Sequence, residues 1–190
     1  MLLTMEDLDI LVKGKLSEKR YKHTLAVTKL SLELAEHYKI SLDETLNAAM
    51  LHDITKEESL SSQLQTIAKS DIMNDTVLEK SSNIYHSITA YLYAKDRLDI
   101  KNIDVLNAIR YHTTGRKNMS MLEKIIFTAD TVSYDRTYDE AKKLRELSFK
   151  DIDACMINIT RFIISDLINK GAVIDSNTID CYNTIAILKS

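Results

Sequence analysis

Proline is absent from this chain and glycine occurs three times. Those two residues are the strongest local punctuators, so their scarcity removes the breakers that turn-rich folds depend on. Alternating polar and apolar runs are almost missing too, which leaves an all-α domain as the predicted class. Cysteine is limited to Cys155 and Cys181, which are far apart and suggest buried or free thiols in a reducing compartment. No run of about 18 apolar residues occurs. Nor does a charged-then-apolar leader precede a small-residue cleavage site, so a cytoplasmic protein without membrane contact is expected. Cationic excess is lacking as well: 25 Lys and Arg stand against 28 Asp and Glu. Nothing resembles the basic face of a nucleic-acid binder, and no nucleic-acid polymer is expected as a partner.

What is present suits one domain with a sizeable core, since the chain has 190 residues. Helix start signals are frequent. Ser17 precedes a segment carrying Tyr21, Val27, Leu30 and Leu34. The pairs Ser41/Glu44, Ser120/Glu123 and Thr137/Glu140 match the capping-box spacing, in which each side chain satisfies an orphan amide at the other's position. Lys170-Gly171 suggests a helix C-terminus, because glycine accepts the left-handed conformation there. Helices are predicted near 5–13, 18–38, 43–52, 57–69, 83–96, 102–111, 120–134, 138–146, 151–169 and 176–188. No internal repeat, linker or low-complexity tract divides the chain. The expectation is a single domain over 1–190, with a motif-bearing core at about 8–150 and C-terminal helices at 151–190. Those last helices carry no catalytic signal and are assigned to packing or subunit contact.

The chain has five histidines, and four of them fall into one pattern with two aspartates. His23 shares a helical face with Val27, Leu30 and Leu34, so it points inward. His52-Asp53 closes the apolar run Ala48-Ala49-Met50-Leu51. Adjacent helical residues diverge by about 100°, so both can address one site only near a helix end. His86 lies on a face with Ala90 and Tyr93, and His112 follows Leu106 and Ile109. Asp130 continues the stripe of Leu122, Ile126 and Ala129, where a carboxylate is expensive unless paired, hydrogen-bonded or bound to metal. Each member alone has a bland reading: a lone inward histidine is often a satisfied core residue, and a His-Asp pair arises readily by chance. Five segments offering only imidazoles and carboxylates make a paired metal centre the better account. His37 sits among Glu36, Tyr38 and Lys39 and is expected at the surface.

The order His…His-Asp…Asp resembles the signature of the HD-domain phosphohydrolase superfamily. The segments Arg20-Tyr21-Lys22-His23, Leu51-His52-Asp53-Ile54-Thr55-Lys56, Ile109-Arg110-Tyr111-His112-Thr113-Thr114-Gly115-Arg116 and Glu123-Lys124-Ile125-Ile126-Phe127-Thr128-Ala129-Asp130 are similar to the motifs of its YqeK family, bacterial symmetrical diadenosine tetraphosphate hydrolases. The chain departs from that pattern in two loops. It has Arg116-Lys117-Asn118-Met119-Ser120 for Arg-Pro-Gly-Met-Ser, and Ser133-Tyr134-Asp135-Arg136 where the family tends to have Glu-Pro before an arginine.

The resemblance implies an HD-type helical bundle with a dinuclear site in its core. One metal would be held by His23, His52, Asp53 and Asp130, and a second by His86 and His112 with Asp53 bridging. Two cations about 3.5–4 Å apart can share a water, lower its pKa and neutralise an attacked phosphate. Iron is what the family favours; manganese, nickel or zinc would also suit imidazole and carboxylate donors. The implied reaction is attack of a metal-bridging hydroxide on an inner phosphate of diadenosine tetraphosphate, giving two ADP. Asp53 and Lys56 are the expected catalytic residues. Phosphate contacts are expected from Arg20, Lys56, Thr113, Thr114, the Gly115 amide, Arg116 and Arg136. Tyr85, Tyr111 and Tyr134 lie near these segments and could stack on a base, although tyrosines at helical spacing are more often core. The ligand would be a dinucleoside polyphosphate or nucleoside diphosphate, and a homodimer is open to a helical domain of this size. The same donors would also serve a nucleotidase or pyrophosphohydrolase acting on mononucleotides or alarmones, or a nucleotide-binding regulator without turnover.

Overall fold

Short polar side chains that capture free amides set most helix starts. Thr4, Ser17, Ser41 and Ser59 each accept from the amide three residues on. They open α1 (Met5–Lys15), α2 (Glu18–Tyr38), α3 (Leu42–Leu51) and α4 (Leu60–Ala68). A 3₁₀ turn at Ser82–Ile84 leads into α5 (Tyr85–Leu92), which runs on into a π-helical turn at Tyr93–Arg97. Asn102, Ser120 and Asp151 cap α6 (Ile103–Tyr111), α7 (Met121–Val132) and α9 (Ile152–Asn169). Between the last two lies α8 (Asp139–Lys150), and α10 (Ser176–Lys189) is the last helix. The computed structural model describes residues 2–70, 72 and 82–189, and among these no strand occurs.

The predicted elements are present, with informative local differences. The expected helix at 57–69 begins only at Leu60, because residues 52–57 form consecutive turns closed by Ile54 N to Leu51 O and Lys56 N to Asp53 O. The expected helix at 83–96 divides into 3₁₀, α and π pieces. Of the three capping boxes, Ser120/Glu123 forms in full. At Ser41 only half forms, since Glu44 Oε1 instead accepts from Asn102 Nδ2 at 2.8 Å and ties α3 to the start of α6. Thr137 caps nothing: the N-cap of α8 is one residue later, at Tyr138, without a side-chain cap.

Apolar faces assemble these helices around two main cores. One gathers Leu8, Val12, Met50, Leu51, Ile54, Ile109 and Ile126, joining α1, α3, α6 and α7. The other gathers Val27, Leu30, Leu34, Phe127, Met156, Ile159 and Cys181, joining α2, α7, α9 and α10. Helix α7 contributes to both, and its residues Leu122 to Ala129 are all buried except Lys124. A histidine on the inner face of α2 and a carboxylate late on α7 therefore converge at the seam between the cores. No helix of the described residues is long and apolar enough to cross a membrane.

Candidate metal centre

Helix α3 ends at Leu51, so His52 and Asp53 fall at its last turn and in the turn beyond it. That break lets neighbouring residues address one space, which a continuing helix forbids. His52 Nδ1 donates to the Ala49 carbonyl at 2.6 Å, which leaves Nε2 as the lone-pair nitrogen facing the centre. His112 ends α6 in the same way, with Nδ1 donating to the Ile109 carbonyl at 2.8 Å. His86 rises from the first turn of α5, whose backbone is held by Thr55 Oγ1 donating to the His86 carbonyl at 3.0 Å.

The six predicted donors separate into two trios. The inner trio is Asp53, His86 and His112, all buried. Its atoms lie close: Asp53 Oδ1 is 3.3 Å from His86 Nε2 and 3.6 Å from His112 Nε2. The two imidazole nitrogens are 3.1 Å apart. The outer trio is His23, His52 and Asp130. Here His23 Nε2 is 2.9 Å and His52 Nε2 3.9 Å from Asp130 Oδ1. Asp53 reaches toward both trios, since its other oxygen, Oδ2, lies 3.6 Å from His52 Nε2.

Donors each about 2.1 Å from one ion sit roughly 3.0–3.5 Å apart, and most of these separations fall in or close to that range. The stronger sign is chemical. His52 Nε2 and Asp53 Oδ1 are buried with no hydrogen-bond partner, a state that costs about 1–3 kcal/mol per atom unless something fills it. Two acceptors left bare side by side are what a metal site requires of its protein. Burial lowers the pKa of both His52 and His86, with the neighbouring His112 charge adding to the effect at each. Neutral imidazole is the ligating form. Burial works against charge at Asp53 and Asp130, yet the imidazoles beside them outweigh it and hold both carboxyls well below the usual range.

Three cations ring this anionic pair. Arg20 Nη1 donates to Asp53 Oδ2 at 2.9 Å. Arg136 donates to the Asp130 carbonyl at 3.0 and 3.1 Å and to Asp130 Oδ1 at 3.2 Å. Lys56, in the turn after Asp53, places Nζ 3.0 and 3.1 Å from the ring nitrogens of His86. Burial, with Arg20 and Arg136 close by, lowers its pKa despite the pull of Asp53 and Asp130. Thr113 also faces the centre, with Oγ1 3.4 Å from His86 Nε2.

The other donors expected after His112 have different partners. Thr114 Oγ1 donates to the Gly115 carbonyl at 2.8 Å, and the Gly115 amide donates to the Tyr111 carbonyl at 2.8 Å. The missing side chain of Gly115 faces the last helix, where a Cβ would stand 2.6 Å from Cys181 Sγ. Arg116 commits its fork to Glu123 at 2.6 and 2.7 Å. Glu123 is wholly buried and also accepts from the Ser120 amide. These three residues brace the turn that carries His112 and Thr113. Of the tyrosines, Tyr85 is buried in a third apolar cluster, while Tyr134 is exposed, with its hydroxyl bonded to Glu33. His37 is exposed, beside Tyr38 and Phe149.

One contact at the centre goes beyond the expected ligand set: His23 Nδ1 lies 2.7 Å from Asp135 Oδ2. Asp135 falls in the turn beyond α7, off every apolar stripe. Its only local hint is being a carboxylate five positions after Asp130.

A helical fold with paired imidazole and carboxylate trios in its core defines a class of metal-dependent hydrolases. Residues 20–155 match the HD domain, and the chain belongs to that family. Over almost its whole length it is similar to enzymes named symmetrical bis(5'-nucleosyl)-tetraphosphatase. The one from Halalkalibacterium halodurans is 32% identical, over 93% of this chain and 94% of the relative. That from Staphylococcus aureus is 33% identical, over 95% and 94%. Among solved structures, an HD superfamily hydrolase of Clostridium acetobutylicum, described as involved in NAD metabolism, superposes with a TM-score of 0.94. It shares 29% identity, and the match covers 100% of both chains.

Proposed function

We propose that this chain hydrolyses diadenosine tetraphosphate and related dinucleoside polyphosphates symmetrically, releasing two nucleoside diphosphates. The observation that carries this is the pairing of two donor trios with three cations packed directly against them. Full-length similarity to symmetrical tetraphosphatases selects the substrate. The inner trio would hold one ion and the outer trio the other, with Asp53 offering Oδ1 to the first and Oδ2 toward the second. Iron is the preferred metal, with manganese, nickel or zinc fitting the same donors. When bound, the pair supplies an activated water at neutral pH and neutralises charge on the attacked phosphate.

The protein's own groups do the rest. Lys56 and Arg136 approach from the two trios and would grip non-bridging oxygens of the inner phosphates, where negative charge builds up. Arg20 fixes the Asp53 carboxylate, and Thr113 adds a hydroxyl beside His86. Water oxygen bonds to one inner phosphorus while that phosphorus releases the oxygen linking it to the other inner phosphorus. The leaving group is ADP carrying the former bridging oxygen, which takes up the proton lost by water. The phosphorus that gained the water oxygen is the terminal phosphorus of the second ADP. Arg116 and Gly115 act through the turn they brace, not on phosphate.

Chromatography of diadenosine tetraphosphate incubated with metal-reconstituted protein should show ADP alone. ATP plus AMP in equal amounts would make the cleavage asymmetric and overturn the reading. Intact substrate alongside cleaved mononucleotides would move the chain to the nucleotidase alternative.

A further inference from the structure

Three of the four histidines at the centre are steadied by groups of different strength. His52 and His112 each donate Nδ1 to a carbonyl of their own helix, a neutral acceptor. His23 instead meets a carboxylate from another part of the chain, Asp135, at 2.7 Å. That carboxylate is itself fixed, because Ser133 Oγ donates to its second oxygen at 2.6 Å.

The turn bearing Asp135 is built to stay in place. Helix α7 stops at Val132, and Ser133 adopts an extended conformation (φ −52°, ψ 165°). Arg145 on α8 then donates to the carbonyls of Val132 and Ser133 at 2.6 and 2.7 Å. The Arg136 amide closes the turn onto the Ser133 carbonyl at 3.0 Å, and its guanidinium returns to Asp130. Tyr138 adds a hydrogen bond to the Thr131 carbonyl at 2.8 Å. This is also the segment where the chain departs from the Glu-Pro pattern of the family it resembles.

We infer that Asp135 is the positioning residue of the outer trio: it holds His23 in the tautomer that presents Nε2 and makes that nitrogen a stronger ligand than its neighbours. The inference rests on the metal-centre reading above. A carboxylate on the far nitrogen of a ligating imidazole fixes ring orientation and raises ligand basicity, and losing one weakens metal binding about 10–100-fold. The effect belongs to one ion only, since Asp135 touches no residue of the inner trio.

The test is equilibrium binding of Mn(II), in competition with a chelator, to metal-stripped wild type and Asp135→Asn. Asparagine keeps one oxygen to accept from His23 and turns its amide NH2 toward Ser133 Oγ, which can accept, so the charge is removed while both contacts can persist. Two ions should bind both proteins, with one of the two about 10–100-fold weaker in the variant and the other unchanged. The melting temperature of the metal-free protein should not move. Ser133→Ala, which leaves the carboxylate but frees one oxygen, should weaken the same ion by a smaller factor. Equal affinities in wild type and Asp135→Asn would overturn the assignment while leaving the metal centre standing. Weakening of both ions together with a lowered metal-free melting temperature would make Asp135 merely structural. Failure of the wild type to bind any ion would instead overturn the metal centre itself, and this inference with it.

Discussion

The two donor trios differ in how they are built, although their residue types are alike. The inner trio comes from the end of α3, the start of α5 and the end of α6. Its side chains are at most 4% exposed, and its nearest supports are a backbone carbonyl, Arg20, Thr55 and Lys56. The outer trio draws on α2, α7 and the same end of α3, which supplies His52; it keeps Asp130 23% exposed and leans on Asp135 and Arg136 from a surface turn. Core packing fixes the inner geometry, so that geometry follows from folding. The outer geometry depends in addition on a turn whose Asp135 is exposed and which is held by Arg145. Arg136, with its side chain 39% exposed, lies on the outer side, while Lys56 carries positive charge to the inner side.

Breaking the comparison outright requires the residue that belongs to both sides. Asp53→Ala should remove both ions and abolish turnover, whereas His52→Ala should cost the outer ion and leave the inner one measurable. Elemental analysis of protein purified without chelator, beside a turnover assay, checks both. In each variant kcat should fall by about 10³-fold or more, since metal activation of water is lost. Loss of both ions from His52→Ala would mean that the trios are a single cooperative unit. Lys56→Ala is the milder probe. Hydrogen bonds to charged groups are worth about 1.5–3 kcal/mol, so kcat/KM should drop roughly 10–150-fold. Metal content should remain at the wild-type level. A fall in metal content instead would make Lys56 a support of His86, to which it lies closest.

Residues whose chemistry is costly to bury are legible in the sequence itself. His23 on the stripe of α2, His52-Asp53 at a helix end and Asp130 beside Ala129 all follow from local periodicity. Their convergence follows from the faces those periods define. The caps at Ser17, Ser41 and Ser120 are legible for the same local reason. What stays hidden is long-range. Nothing near Arg116 announces that its fork will neutralise Glu123 inside the core. Likewise Asp135 reaches His23 across 112 positions, through a turn whose shape depends on Arg145. The C-terminal helices are silent in the sequence because their contribution is a contact and not a donor. Cys181 of α10 closes against the turn that carries His112.

That last contact gives the smallest expected effect and separates two accounts of Gly115. Its φ is +64°, in the left-handed region, and its absent Cβ faces Cys181 Sγ. Gly115→Ala should therefore cost about 1–3 kcal/mol, roughly 3–9 °C in Tm at this chain length. KM for the dinucleotide should change little, because the Gly115 amide is already given to Tyr111. Adding Cys181→Ala removes the sulfur that the new methyl would meet, so the double variant should lose less stability than the two single changes summed. The residual cost is the left-handed backbone together with a 3.0 Å approach to the Cβ of residue 181, which the alanine keeps. Burial pushes the Cys181 thiol up to about 11, so the sulfur acts there as an inert apolar surface and not as a nucleophile. If glycine were instead present to admit phosphate, Gly115→Ala would raise KM as well as lower Tm, and Cys181→Ala would not bring KM back. The direction of that one pair of measurements decides whether the last helix is packing or part of how the centre is held.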